Sequence, residues 1–185
     1  MSGERFDLAA RLSARLAHLG QDYCLFTRGP REFAISVSAA REVLTGEAAT
    51  SVPQAPPTLV GVLNLRGAVL PLVRLDSLLG MPTRPYAATG HILVLTNDAI
   101  EIGLVVDRVR DVRSIDSAAI EPYPAGTTGG RLFRGYWPST TGLVTVLEAE
   151  RVISEAAAAV SQRFQQRLFG DEPPRRAGGA PLGNE

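Results

Sequence analysis

Gly61-Val-Leu-Asn-Leu-Arg-Gly-Ala-Val-Leu-Pro-Leu-Val-Arg-Leu75 is the stretch that decides the fold. Val62, Leu63 and Leu65 lead into Arg66-Gly67, and Ala68, Val69, Leu70, Leu72 and Val73 lead away. Two short apolar runs around a Gly-containing dipeptide predict a β-hairpin. Pro71 removes one ladder donor, which places one strand of the hairpin at a sheet margin. Asn64 and Gly67 shape the turn, Gly61 permits close backbone approach, and Arg66 is left projecting from an apolar surface.

The same period-two pattern recurs outward from this hairpin. Phe33, Ile35 and Val37 alternate with Ala34, Ser36 and Ser38 after a strand-like run from Tyr23. His91 to Thr96 and Ile100 to Val106, separated by a turn, read as a second hairpin, with the strand pattern continuing through Val109 and Val112. Leu132 to Trp137 and Leu143 to Leu147 read as a third. Ser38 is the expected cap of a short helix running to Leu44, and Asp76 that of a brief turn over Ser77-Leu78-Leu79. Ser51 to Pro57 holds three prolines and is read as a stiff connector, and residues 81 to 90 as a linker. Laying Leu65-Arg-Gly67 beside Phe133-Arg-Gly135 gives a faint echo of two similar β units. Short strands and frequent turns indicate a mainly β, barrel-like class.

The ends differ. Phe6, Ala9, Leu12, Leu16 and Leu19 recur at helical spacing, so residues 1–20 are read as an amphipathic helix, either packed on its own domain or docking on a partner or self-associating. A second helical stripe follows Leu147, with a C-terminal helix assigned to 156–170. Residues 171–185, rich in Pro, Gly and charge, are expected to be a disordered tail.

Composition excludes more than it suggests. Basic and acidic residues number 19 each, so no global field draws the chain to nucleic acid or an anionic membrane. All the basic residues are arginine. A single cysteine, Cys24, excludes an internal disulfide, and its strand-like context reads as a buried small hydrophobe. No apolar segment is long enough to span a bilayer, so the expectation is a cytoplasmic protein without direct membrane insertion. His18 and His91 have no ligand spacing, so no metal or cofactor is expected. Asp107, Asp111 and Asp116 interleave with Arg108, Arg110 and Arg113 as a solvated strand face. Gly126-Thr-Thr-Gly-Gly-Arg131 lacks the ending of a phosphate-binding loop and is read as a strand connection. No catalytic constellation can be nominated.

Asn64-Leu-Arg-Gly67, the following apolar run and Pro71 closely resemble the signature of the CheW-like domain family. Tyr23-Cys-Leu-Phe-Thr27, Glu32-Phe-Ala-Ile-Ser-Val37, Arg41-Glu-Val-Leu44 and Ala99-Ile-Glu-Ile-Gly-Leu-Val-Val-Asp107 recur in the family's order across residues 21 to 155. The resemblance implies two small five-stranded SH3-like β-barrels packed over a shared core. It further implies a non-catalytic adaptor, with one surface on the regulatory domain of a CheA-like histidine kinase and another on the cytoplasmic tip of a methyl-accepting chemoreceptor.

Within that reading, Arg66, Glu42, Val43 and Asn64 are the candidate partner-binding residues, with Gly61 and Gly67 as turn-shaping positions. A guanidinium forks onto a carboxylate or caps backbone carbonyls, so Arg66 either recognises a partner or holds the turn. Arg74 stands where the family commonly places an acidic residue, which predicts altered partner choice. The extra terminal segments suggest a specialised chemosensory pathway. The alternative is a small-molecule-binding barrel or enzyme in which Arg66 holds a substrate carboxylate inside a concave pocket.

Overall fold

The computed structural model of the protein describes residues 20–87 and 89–169, with side chains as far as Ser161. The expected N-terminal helix, but for its last residue, and the tail of residues 171–185 lie outside the described residues. In chain order the elements are β1 (Gln21–Arg28), β2 (Arg31–Ser36), β3 (Ala40–Thr45), β4 (Leu59–Leu65), β5 (Ala68–Arg74) and α1 (Leu75–Leu78). They continue with β6 (His91–Thr96), β7 (Glu101–Val106), β8 (Arg108–Ile115), β9 (Phe133–Ser139), β10 (Gly142–Leu147) and α2 (Ala149–Phe169). Helix α2 starts ahead of the expected 156, so that boundary falls within one continuous helix.

Ten strands form two five-stranded sheets, in the orders β8-β1-β2-β10-β9 and β3-β6-β7-β5-β4. Five strands per unit were expected, but closed barrels were not found: the ladders leave β8 and β9 unpaired with each other in one sheet and β3 and β4 in the other. A single bridge covers each of two edges instead, Thr50 on Val62 of β4 and Glu121 on Tyr136 of β9. At both places a glycine makes the approach possible. A Cβ on Gly61 would lie 2.4 Å from the Thr50 carbonyl oxygen, and one on Gly135 would lie 2.3 Å from that of Glu121.

The two halves of the chain repeat each other with exchanged partners. The β1–β2 hairpin lies in the first sheet, and a 3-10 turn at Val37–Ala39 passes the chain to the second, where β3, β4 and β5 lie. The β6–β7 hairpin lies in the second sheet, and Asp107 passes the chain to the first for β8, β9 and β10. Register matches residue for residue. Thr27 pairs with Glu32 as Thr96 pairs with Glu101, and the bulges in β3 and β8 fall at Arg41 and Arg110. Each bulged arginine then reaches the glutamate of the hairpin beside it, Arg41 to Glu101 at 2.7 Å and Arg110 to Glu32 at 2.5 Å. The two β units are repeated, but the echo of Leu65-Arg-Gly67 in Phe133-Arg-Gly135 aligned the wrong residues: Gly135 corresponds to Gly61 at the bridge, not to Gly67 at the turn.

Three local expectations are corrected. Residues 41–44 belong to β3, not to a helix, because Glu42 and Leu44 alternate inward with Arg41 and Val43 outward and ladder onto β6. The side chain of Ser36, not Ser38, caps the preceding 3-10 turn. Asp76 does not cap α1, since it is fully buried against Arg28. Pro71 lies in β5, which is not a margin strand; the margin is β4. Pairing of β5 with β7 runs from Leu72 onward, so Pro71 stands just ahead of that ladder.

Alternation gives each sheet two apolar faces. Phe26, Phe33, Ile35, Leu93, Leu95, Ile102 and Leu104 face the shared core, closed by Val152, Ile153 and Ala156 of α2. Tyr23, Ala34, Val144 and Val146 form a smaller core on the other face of the first sheet, and Leu70, Leu72, Ile92 and Val105 one on the second. Burying a side chain such as Ile153 contributes about 1.5–3 kcal/mol, which is how α2 is held. Cys24 is buried in the shared core, and that burial raises its thiol pKa.

Candidate partner-binding site

The turn joining β4 to β5 has two central residues with positive φ, Arg66 at 53° and Gly67 at 89°. Such a turn matches the right-handed twist of the flanking strands. Glycine adopts it without cost, whereas an arginine there is strained by about 1–2 kcal/mol. Asn64 Oδ1 accepts a hydrogen bond from the Gly67 N–H at 2.9 Å and offsets part of that strain. Observed strain at a non-glycine residue is a pointer to function.

Arg66 does not cap carbonyls of its own turn. Its Nη2 donates to Glu42 Oε2 at 2.9 Å, across to edge strand β3, while 67% of the side chain stays exposed. The other carboxylate oxygen of Glu42, Oε1, is buried and has no hydrogen-bond partner among the described residues. A buried acceptor left unpaired costs about 1–3 kcal/mol. The pair therefore presents a guanidinium with spare donors, held in place by a carboxylate that is itself largely covered. Val43 follows Glu42 along β3 and Val69 flanks the turn on β5; both are exposed apolar side chains.

The fold thus joins Arg66, Glu42 and Asn64 in one surface feature, with Val43 adjoining, while Gly61 sits further along β4 under its bridge to Thr50. An enzyme-like or small-molecule site around Arg66 would need a concave pocket. Arg66 stands on an exposed turn, while a cavity of about 690 Å³ lies elsewhere, lined by Arg31, Arg110, Tyr123 and their neighbours. Arg74, the residue out of keeping with the family pattern, turns onto its own chain: Nη1 donates to the Arg84 carbonyl at 3.0 Å.

Sequence reasoning missed the counterpart of this surface. By register, Glu42 and Val43 of β3 correspond to Asp111 and Val112 of β8, and Val69 of β5 to Leu143 of β10. Val43, Val69, Val112 and Leu143 are the exposed large hydrophobics of the described chain. They are two copies of one pair, one per sheet. Asp111 carries its own arginine, Arg113, at 3.2 Å. The signal was available as the recurrence of Arg-Glu-Val in Arg41-Glu42-Val43 and Arg-Asp-Val in Arg110-Asp111-Val112.

It also missed the joint between the sheets. Arg28, at the end of β1, donates to both oxygens of Asp76 and to Asp107 Oδ1, and Asp107 Oδ2 accepts from the Gly29 N–H. Asp107 therefore leaves the expected solvated strand face and becomes part of a buried clip, while Asp111 and Arg113 keep to that face.

Two exchanged β units, a charged turn joining Arg66 to Glu42 and duplicated apolar patches describe a binding module. Residues 22–157 match the family model described as the CheW-like domain. The chain belongs to the CheW-like domain family. It is 36% identical over 109 residues to the "Chemotaxis protein CheW" of Rhizobium meliloti (strain 1021), a match covering 59% of this chain and 70% of that protein. It is 32% identical over 132 residues to the "Probable chemotaxis protein CheW" of Rhizobium etli, covering 70% of this chain and 85% of that one. The solved scaffolding protein TtCheW from Thermoanaerobacter tengcongensis shares the fold, with a TM-score of 0.63 at 23% identity over 70% of this chain and 85% of its own. CheW-like proteins of this kind are non-catalytic adaptors of chemotaxis. No helix among the described residues is long and apolar enough to cross a membrane.

Proposed function

We propose that this chain couples a methyl-accepting chemoreceptor to a CheA-like histidine kinase, and that Arg66, Glu42, Val43 and Asn64 form the surface on which one of these partners docks. The observation that carries the reading is the Arg66–Glu42 pair, which fixes Arg66 at 2.9 Å on edge strand β3 while most of its side chain stays exposed. A partner carboxylate takes the spare donors of Arg66, and apolar neighbours exclude water from the resulting bonds. The duplicated patch at Val112 and Leu143 supports a second partner on the first sheet, as an adaptor requires.

Coupling follows if the assembly of receptor, adaptor and kinase has different stability in the kinase's active and inactive arrangements. The adaptor works in the cytoplasm, in a pathway whose specialisation lies in the segments outside residues 22–157, including self-association through the N-terminal segment. The test is a titration of the purified protein against the regulatory domain of the kinase and against a receptor signalling fragment, with Arg66→Glu in parallel. The expected result is binding of both by the unmutated chain and at least tenfold weaker binding of one by the variant, a loss of about 1.4 kcal/mol. Failure of the unmutated chain to bind either partner overturns the coupling role. Equal affinities of variant and parent remove Arg66 from the interface.

A further inference from the structure

The exchange of halves creates two places where the chain crosses between the sheets, and the two are finished differently. At one, the guanidinium of Arg28 fills the joint, 3% exposed, with Nη2 to Asp76 Oδ2 at 2.6 Å and Nη1 to Asp107 Oδ1 at 2.9 Å. Register identifies its counterparts at the other. Asn97 holds the place of Arg28, each following the threonine that pairs with the hairpin glutamate. Glu150 holds that of Asp76, each the second residue of the helix after β5 or β10. Ser38 holds that of Asp107, each at the crossing itself.

The second joint keeps the carboxylate and lacks the guanidinium. Asn97 Nδ2 reaches Glu150 Oε2 at 3.1 Å, and its Oδ1 is taken by the N–H groups of Ala99 and Ile100. What Arg28 fills on one side is here a notch of about 260 Å³, walled by Ser36, Ser38, Asp98, Glu148, Glu150 and Arg134. Its carboxylates outnumber its single cation, and Arg134 is already engaged by Gln21 and Ser117. The reason one joint is roofed and the other open lies in the helices. After the single turn of α1 the chain doubles back, so that the Arg84 N–H donates to Asp76 and its carbonyl accepts from Arg28. After Glu150, α2 runs straight on to Phe169, and among the described residues none folds back over the notch.

We propose that this notch is a binding site for a guanidinium group from outside the chain, seated against Glu150 and Ser38 as the guanidinium of Arg28 is seated against Asp76 and Asp107. A planar fork of donors matches a carboxylate in two bonds, which a primary ammonium does not. The source is either the arginine side chain of another protein or a free small guanidinium compound. This site is independent of the receptor and kinase reading, since none of its residues belongs to the Arg66 surface.

The test is a ¹H–¹⁵N NMR titration of the full chain with agmatine, with N-acetyl-arginine amide and with n-butylamine. Saturable shifts at the Asn97 side-chain amide and the Glu150 backbone amide are expected with both guanidinium probes, at least tenfold weaker with butylamine. Preference for the capped arginine assigns the source to a protein side chain, and preference for agmatine to a free cation. Glu150→Gln is expected to weaken binding at least tenfold. Asn97→Arg, which copies the first joint into the second, is expected to abolish it by filling the notch; should that variant fail to fold, Glu150→Gln decides. Absence of saturable shifts at millimolar probe, or equal binding by Glu150→Gln, overturns the site.

Discussion

Arg28 and Asp76 meet through three hydrogen bonds, Nε to Oδ1 at 3.0 Å, Nε to Oδ2 at 3.1 Å and Nη2 to Oδ2 at 2.6 Å, with both side chains buried. Arg28 ends a strand of the first sheet and Asp76 follows a strand of the second, so the pair clips the two sheets to each other. Asp107 and the Arg84 backbone add three further hydrogen bonds to the pair.

Removing one partner of a buried pair leaves an uncompensated charge, so Asp76→Ala is expected to cost about 3–5 kcal/mol. Replacing both, as Arg28→Met with Asp76→Leu, is expected to recover most of that loss, because the desolvation penalty disappears with the pair. Urea denaturation of Asp76→Ala and of the double variant checks this.

The same pair makes stability depend on pH at the acid end. Burial alone would raise the Asp76 pKa, but hydrogen bonds from Arg28 and the Arg84 N–H, with their charges, outweigh it and hold the carboxyl below its ordinary value. A carboxylate depressed in the folded state contributes stability fully above its unfolded pKa, and that stability is lost as pH falls through the lower folded one. Denaturant midpoints should therefore hold near neutrality and fall below the ordinary aspartate range, with a flatter acid limb in the double variant.

Gly61→Ala and Gly135→Ala should behave alike. Each places a Cβ against a backbone oxygen that cannot rotate away, at 2.4 and 2.3 Å, and the displaced bridge is expected to cost about 1–3 kcal/mol at either site. Gly67→Ala meets open space but a φ of 89°, for a loss of about 1–2 kcal/mol. Thermal denaturation of the three variants orders them; a tolerated Gly135→Ala beside a damaging Gly61→Ala would contradict the equivalence of the halves.

Arg66→Gly separates the turn from the contact. Glycine relieves the left-handed strain, and an exposed ion pair contributes about 0–1 kcal/mol, so stability should change little. Partner affinity should nevertheless fall at least tenfold, about 1.4 kcal/mol. Equal loss of stability and affinity would assign Arg66 to the turn alone.

The hairpins were legible because a strand with one buried face writes its alternation directly into the sequence, as in Phe33, Ile35 and Val37. The turn was legible because positive φ selects Gly, as at Gly67, and because an Asn three residues before it can bond back to the turn, as Asn64 does. Strand β3 was misread as helix because Ser38 before Arg41-Glu42-Val43-Leu44 carries the same signals as a helix start. Its partner β6 lies far along the chain, and only the ladder to it sets the period. Asp76 was misread for a similar reason: an aspartate before a short helical turn looks like a cap, and nothing local announces Arg28.

By itself the sequence determined the β class, the hairpins, the Arg66 turn and the family, because these rest on short-range periodicity and on motifs a few residues long. Tertiary structure alone decided the exchange of halves between sheets, the Arg66–Glu42 pair, the Arg28–Asp76 clip and the open notch beside Glu150. Each of these joins residues distant in the chain, and their meeting depends on which strand pairs with which, a choice that no local pattern encodes.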